Sequence, residues 1–411
     1  MNVLYISYDG MTDPLGQSQV IPYLIGLSKN GHIITIISCE KKERFANQKD
    51  SIQLLLDNSK INWIPVPYSN LPSVLSKLLN ISRMKQKAIS FCKKECPQIV
   101  HCRSYMAALI GLYLKNKNNT KFIFDMRGFW ADERIDGQIW SLKNPLHKRF
   151  YNYFKKKEIE FLQNADYTIS LTENAKKEIL SWKHLKKLHI SIQVIPCCAD
   201  LKLFSSKSIN LLDQNTIKNK LNLKENDFVI SYLGSIGTWY MLDEMLDFFK
   251  CLSDKMSNAK FLFITPDKKS EIISKAELKE ISKEKLIIHS ASRKEVPMYL
   301  SLSDIAIYFI KPLYSKKASS PTKTAEIMGM GIPIITNSGI GDSDKIITDS
   351  EAGILISEFT ADEYMRIINQ IDVLLNVDRI KIAAASHNYF SLEKGVELYS
   401  QVYEKLRPEI L

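Results

Sequence analysis

Short apolar runs alternate with longer helical patterns along all 411 residues, and no other feature constrains the fold as strongly. In the first half, residues 2–7, 32–38, 61–65, 99–101, 121–124, 167–170 and 193–195 read as strands. Residues 19–30 and 74–94 are among the helical stretches between them. In the second half, residues 228–233, 260–265, 286–289, 305–309, 332–336 and 353–356 continue the pattern. Strands that alternate with helices predict parallel sheets covered by helices on both faces. The chain is too long for one ordinary core. The expectation is therefore an α/β protein of two doubly wound, Rossmann-like domains. The boundary falls after Val194-Ile195-Pro196-Cys197-Cys198-Ala199-Asp200, and a helical pattern over residues 391–405 ends the chain.

In such sheets ligands bind where strands end and loops enter helices. One strand end carries the densest chemistry: Ser319-Ser320-Pro321-Thr322-Lys323-Thr324-Ala325-Glu326, followed by Gly331, Pro333 and a strand. Ser320 suits an N-cap and Pro321 the first helical position. Free N–H groups in that first turn favour an anion, and Lys323 adds a full charge. Glu326 lies three residues on, hence on the same helix face. A phosphate-holding lysine beside a hydroxyl-holding carboxylate suits a nucleotide-sugar site. An ordinary capped helix with a surface Lys–Glu pair fits the same spacing.

A second loop, Gly234-Ser235-Ile236-Gly237-Thr238, follows an excellent strand and precedes a helical pattern over 241–250. Its glycines permit close approach to a phosphate. It lacks the third glycine of a dinucleotide fingerprint and the Gly-Lys-Ser/Thr ending of a P-loop, and a plain tight turn fits equally. Thr265 ends another strand. The loop of residues 124–134 mixes Asp125, Arg127, Asp132, Glu133 and Arg134 with Phe129 and Trp130. Carboxylates take hydroxyls, aromatic faces take C–H surfaces and arginine takes phosphate, so the loop suits sugar recognition. Internal pairing of its charges is the other reading. Asp9, Gly16 and Gln17 lie in the first strand-end loop, and Arg103 follows the strand at 99–101.

Composition narrows the classes. Hydrophobic content of 45% and charged content of 25% are those of a soluble globular protein. No run approaches the ~18 apolar residues of a membrane span, and no basic, then apolar, leader opens the chain. A cytoplasmic protein is expected. Seven cysteines show no metal-ligand spacing, since Cys92 and Cys96 lack a matching pair, and no Asp-x-Asp motif suggests a metal-bound diphosphate. No metal or other cofactor is expected. Residues 1–200 hold 29 Lys+Arg and 17 Asp+Glu, a net of +12; the remainder holds 56−29 = 27 and 45−17 = 28, a net of −1. So basic a half suggests an anionic partner. The aromatic, lysine-rich stretch at 145–161 suits an anionic membrane surface. Nucleic acid is not expected, because no recognition motif accompanies the charge.

Together these motifs resemble the retaining glycosyltransferases of family 4, which have the GT-B fold. The likeness runs through Pro14-Leu15-Gly16-Gln17-Ser18, Phe124-Asp125, the hinge at 194–204, Gly234 and, most specifically, Ser320 to Ile335, similar to the family's S-P-x-K-x-x-E-x-x-A-x-G-x-P-V-I. The resemblance implies two Rossmann-like domains facing a central cleft: residues 1–198 for the acceptor, with a last helix (about 388–411) crossing back, and 199–387 for the nucleotide-sugar. It implies transfer of a sugar, with retention, from a nucleotide-diphosphate donor, UDP first among them. The acceptor would be a saccharide, lipid-pyrophosphate-linked, in capsule or O-antigen-type polysaccharide synthesis.

By position, Asp125, Lys323 and Glu326 would serve catalysis, with Glu326 on the ribose and Lys323 on the diphosphate. Gly16, Gln17, Arg127, Gly234, Ser235, Gly237, Thr238, Thr265, Ser320, Pro321 and Thr322 would complete the donor site. Asp9, Arg103, Trp130 and Arg134 would meet the acceptor. Three positions depart from the family's pattern: Ala318 replaces its first acidic residue, Ser235 and Tyr240 replace an Arg and a Lys, and Asp125 replaces a His. A GT-B nucleotide-sugar 2-epimerase and a non-catalytic nucleotide-sugar or nucleic-acid binding protein are the alternative readings.

Overall fold

The computed structural model describes residues 1–69, 73–118, 120–186 and 188–407. Residues 408–411 of the expected terminal segment and the side chains at 74 and 75 of the expected helical stretch lie outside the described residues. The chain divides into two compact units. One comprises Met1–Cys197 together with the chain from Leu392 onward; the other is Cys198–Ser391.

The first unit is built on a seven-stranded sheet of β1 (Asn2–Ser7), β2 (Ile33–Glu40), β3 (Ile61–Pro67), β4 (Ile99–Arg103), β5 (Lys121–Asp125), β6 (Tyr167–Ser170) and β7 (Ile192–Val194), in the order β3-β2-β1-β4-β5-β6-β7. Every pairing is parallel. The order reverses between β1 and β4, where Ser7 pairs with Arg103. A crevice for ligands opens at such a reversal. The last helix, Leu392–Lys405, packs on the helix Ile21–Lys29 of this unit. Gly26 makes the close approach possible: a Cβ there would lie 2.4 Å from Val396 Cγ2. Val396, Tyr399 and Tyr403, at helical spacing, are all buried.

The second unit holds a six-stranded parallel sheet of β8 (Phe228–Leu233), β9 (Ala259–Ile264), β10 (Leu286–His289), β11 (Ile305–Tyr308), β12 (Ile334–Asn337) and β13 (Gly353–Ile356), in the order β10-β9-β8-β11-β12-β13. Every residue of β8, β11 and β12 is buried, whereas the edge strand β10 is half-buried throughout. Central parallel strands covered on both faces read as continuous apolar runs for this reason. Here the order reverses between β8 and β11.

Each expected strand exists; β1, β6, β8, β10 and β13 keep the expected bounds and the others have shifted ends. β2 and β4 run on to Glu40 and Arg103, and β12 starts at Ile334, after Pro333, which has no N–H to give a ladder. Residues 19–30 hold a helix break at Val20, between Pro14–Gln19 and Ile21–Lys29. The segment read as a loop after β5 contains the helix Trp130–Asp136, which buries Ala131 and Asp132 and half-buries Trp130.

Candidate functional site

The helix Thr322–Gly329 starts beside the β8/β11 reversal. It begins one residue later than the sequence suggests. Pro321 has φ −68° and ψ 117°, so it takes the N-cap position itself, and its side chain makes no capping hydrogen bond. Ser320 therefore lies one residue before the N-cap position. A proline has no N–H, and its extended ψ holds it outside the helix. The positive end of the helix dipole faces this entrance, which favours an anion there.

Lys323 and Glu326 are both buried, at 7% exposure, which removes the surface-pair reading. Lys323 Nζ donates to Tyr232 Oη at 3.2 Å. It lies 3.6 Å from the ring centroid of Tyr240, 4.2 Å from Tyr232 and 5.6 Å from Tyr308. Three aromatic faces thus take the place of water around the amine. Burial pushes its pKa well down, and the nearby Glu326 offsets only part of this. A phosphate would supply the anionic partner that the aromatic faces cannot.

Gly234, at the end of β8, has φ 111°, and a Cβ there would stand 3.1 Å from Lys323 Nζ. The loop that follows is held from outside. Ile236 N–H donates to Asp267 Oδ2 at 2.6 Å, and the Thr265 hydroxyl donates to the same oxygen at 3.3 Å. Tyr240 pairs with Ile310 as an isolated bridge. Ser235, Gly237 and Thr238 are exposed, and a Cβ at Gly237 would meet nothing within 4 Å. Packing therefore explains Gly234 and not Gly237. Ser320, Pro321 and Thr322 are half-buried at the helix entrance. Ala318 is buried, and Lys316 Nζ beside it sits 3.6 Å over the Trp239 ring.

Glu326 Oε1 accepts from Arg293 Nη1 at 2.8 Å. Burial raises the Glu326 pKa, while Arg293 and then Lys323 pull it back. Arg293 was not singled out from the sequence. The one available signal was a cation shortly after a strand end, at Ser290-Ala291-Ser292-Arg293.

In the first unit, register brings Arg103 beside Asp125 and Ser7. Asp125 is 1% exposed; its Oδ2 accepts from Tyr399 Oη at 3.0 Å and lies 3.6 Å from His101 Nε2. Arg127, at φ 59°, stands 3.9 Å from Asp125 Oδ1 and donates to Cys197 Sγ at 3.1 Å. Burial alone would raise the Asp125 pKa, but Arg127 and His101 outweigh it and hold the carboxyl below its ordinary value. Burial pushes His101 down, so its imidazole is the neutral partner.

The four acceptor candidates converge. Asp9 Oδ2 lies 3.7 Å from Arg103 Nε, and Arg134 Cζ sits 4.9 Å over the Trp130 ring. Burial lowers the Arg134 pKa, while Glu133 and Asp9 raise it, which places the Asp9 charge near both guanidiniums. Trp130 also stacks on Tyr105 at 5.7 Å and meets Phe154 at 4.8 Å, so only part of it faces outward. Asp132 is internal, accepting from Tyr151 Oη at 2.9 Å and Lys155 Nζ at 2.8 Å.

The loop before the helix Pro14–Gln19 is organised by Glu40, also missed from sequence. Its carboxylate accepts from Met11 N–H at 2.7 Å and the Thr12 hydroxyl at 2.6 Å. Gly16 packs on that loop, where a Cβ would fall 2.1 Å from the Gly10 carbonyl oxygen. Gln17 Nε2 donates to Thr12 O at 3.2 Å. Nearby, Lys41, Lys42, Glu43, Ala46 and Tyr68 line an open groove of about 610 Å³. Among the described residues, no group of three or more His, Cys, Asp or Glu side chains could hold a metal ion.

Two family models match the chain. Residues 20–203 match the one described as Glycosyltransferase Family 4, and residues 213–373 match Glycosyl transferases group 1. No curated protein sequence matches significantly. Among solved structures, sucrose-phosphate synthase from Thermosynechococcus elongatus is 14% identical, with 99% of each chain covered and a TM-score of 0.72. Anabaena Alr3699/HepE in complex with UDP-glucose is 12% identical over 98% of this chain and 100% of that one, at 0.68. The lipopolysaccharide outer core galactosyltransferase WaaB, in its apo form, is 12% identical over 98% and 100%, at 0.63. These likenesses show the fold.

Proposed function

Since the chain is a glycosyltransferase of the group 1 and family 4 type with the two-domain GT-B fold, we propose that it moves a sugar, with retention, from a UDP-sugar to a lipid-pyrophosphate-linked saccharide in surface-polysaccharide synthesis. The observation that carries the donor end is the Lys323 amine, held against Gly234 at the entrance of the helix Thr322–Gly329, with Glu326 one turn behind. On this reading the diphosphate accepts from the amine and from the first-turn N–H groups of Thr322 and Lys323. Ser320, Pro321, Ser235, Gly237 and Thr238 shape its surroundings, and Thr265 backs the loop through Asp267. The UDP-glucose of the HepE complex supports the choice of nucleotide, and the likeness to the lipopolysaccharide outer core galactosyltransferase WaaB supports the polysaccharide setting.

The bond from the sugar C1 to the diphosphate oxygen breaks while the acceptor oxygen bonds C1 on the same face. The acceptor's proton passes to the departing phosphate oxygen. Lys323 and the helix N–H groups stabilise the charge that develops there, so the reaction needs no metal. Asp9, Arg103, Arg134 and Trp130 bind the acceptor, and Asp125 with Arg127 orients it. Gly16 and Gln17 shape the loop beside them.

The acceptor's anionic anchor suits the net +12 of residues 1–200. The helix Pro145–Asn164 exposes Leu146 and Tyr153 beside Lys148, Arg149 and Lys156, a combination suited to an anionic bilayer. No described helix is long and apolar enough to cross a membrane.

The test incubates the protein with a panel of nucleotide sugars, with and without lipid-linked acceptor and with EDTA. Acceptor-dependent release of UDP that survives EDTA supports the proposal. Release of nucleotide without any acceptor, together with the C2 epimer of the donor sugar, would instead indicate an epimerase.

A further inference from the structure

We propose that Arg293 is a positioning residue that sets the recognition of the donor's ribose. It pins one oxygen of Glu326 and leaves the other to accept a ribose hydroxyl. The inference rests on the reading of this site as a nucleotide-diphosphate site.

Arg293 lies in the loop after β10, where Ser292 N–H donates to Glu295 Oε2 at 2.8 Å and closes a turn. Its guanidinium reaches from this loop to the helix Thr322–Gly329, placing Nη1 2.8 Å from Glu326 Oε1. The Arg293 side chain is 41% exposed and that of Glu326 is 9% exposed. The arginine therefore forms the outer wall of the pair and the carboxylate its floor.

Phe204 fixes both partners. Its ring lies 5.2 Å from Arg293 Cζ, and its carbonyl oxygen would be 2.7 Å from a Cβ at Gly329, on the helix that carries Glu326. A planar guanidinium seated on an aromatic face and bonded to one carboxylate oxygen has little freedom left.

Two charged groups face the Glu326 carboxylate, Arg293 from the β10 loop and Lys323 from its own helix. Lys323 is turned into the tyrosine cage, so Arg293 is the group bonded to the carboxylate. An ionised carboxylate accepts from hydroxyls with both lone pairs of its free oxygen, and a protonated one loses part of that capacity. Removal of Arg293 leaves a buried carboxylate that binds a proton at higher pH. Ribose recognition then becomes acid-sensitive, while recognition of the diphosphate does not.

The experiment is calorimetric titration of UDP and 2′,3′-dideoxy-UDP into the full chain, its Arg293→Ala and Arg293→Lys variants, between pH 5.5 and 8. The expected result is about tenfold or greater weakening of UDP binding to R293A at the acid end, recovering as the pH rises, as loss of a hydrogen bond to a charged group implies. Dideoxy-UDP should bind R293A as it binds the parent, which also shows that the variant is folded. R293K should fall between. An unchanged UDP/dideoxy-UDP ratio in R293A, or equal loss of both ligands, would overturn the inference. If the parent chain binds neither nucleotide, the nucleotide reading itself falls and takes this inference with it.

Discussion

The amine of Lys323 stands where a side chain at Gly234 would have to go, 3.1 Å from the position of its missing Cβ. The helix entrance and the β8 strand end are thereby one structure. Gly234→Ala should force the amine aside and also strain a backbone at φ 111°. The expected cost is ~1–3 kcal/mol of stability together with loss of nucleotide binding. Chemical denaturation and UDP titration on the same variant check both.

Lys323→Met should separate stability from activity. It replaces a buried cation by an apolar chain of similar length, so thermal stability should hold or rise. Turnover should fall by roughly 10²–10³, the usual loss for one donor aimed at developing charge. A variant with near-parental turnover would remove Lys323 from the mechanism.

The depressed Lys323 pKa carries a sign. The folded, ligand-free protein binds this proton less tightly than the unfolded chain does. The Lys323 contribution to stability is therefore greatest above the unfolded value and declines as pH falls toward the folded one. A bound diphosphate raises the amine's pKa again. UDP binding should therefore take up a proton, and affinity should drop as pH rises through the interval between the free and bound values. Calorimetry in buffers of different ionisation enthalpy reads the uptake directly; buffer-independent heats would contradict it.

Two glycines should respond oppositely. Gly16→Ala drives a Cβ to 2.1 Å from a carbonyl oxygen, so overpacking should cost ~1–3 kcal/mol. Gly237→Ala meets nothing within 4 Å and should leave stability within about 0.5 kcal/mol. If the loop at 234–238 approaches the diphosphate, Gly237→Ala should nevertheless weaken UDP binding. Denaturation and titration of the two variants side by side test this.

Tyr399→Phe removes the hydroxyl that the last helix donates to Asp125 at 3.0 Å. A buried carboxylate oxygen losing its donor should cost about 1–3 kcal/mol. Turnover should fall while UDP affinity holds, because Asp125 lies in the first unit. An equal drop in UDP affinity would show that the effect is not local to Asp125.

What could be read in advance was local. Runs such as residues 228–233 are buried on both faces and announce themselves as strands by apolar content alone. The Lys323 and Glu326 positions follow from a short motif at the helix entrance. The cage around Lys323 does not: Tyr232, Tyr240 and Tyr308 come from different elements and read separately as strand or loop aromatics. The pairing of Arg293 is hidden for the same reason, since its partner lies 33 residues away on another element. Glu40 gave no periodic signal because Met11 and Thr12, which donate to it, belong to a loop about 28 residues away in sequence. The helix Trp130–Asp136 reads as a loop because Asp132, Glu133, Arg134 and Asp136 leave its seven residues no apolar periodicity.

The most direct test of the donor site is the thermal stability of the parent chain and Lys323→Met across a UDP titration. At a hundred times its dissociation constant UDP should add about 2.7 kcal/mol to the parent, and Lys323→Met should need at least about tenfold more UDP for the same shift, the loss expected for one charge-assisted hydrogen bond. A parent chain that UDP does not stabilise, or a Lys323→Met variant stabilised at the same concentration, would contradict the assignment of this helix to the nucleotide diphosphate.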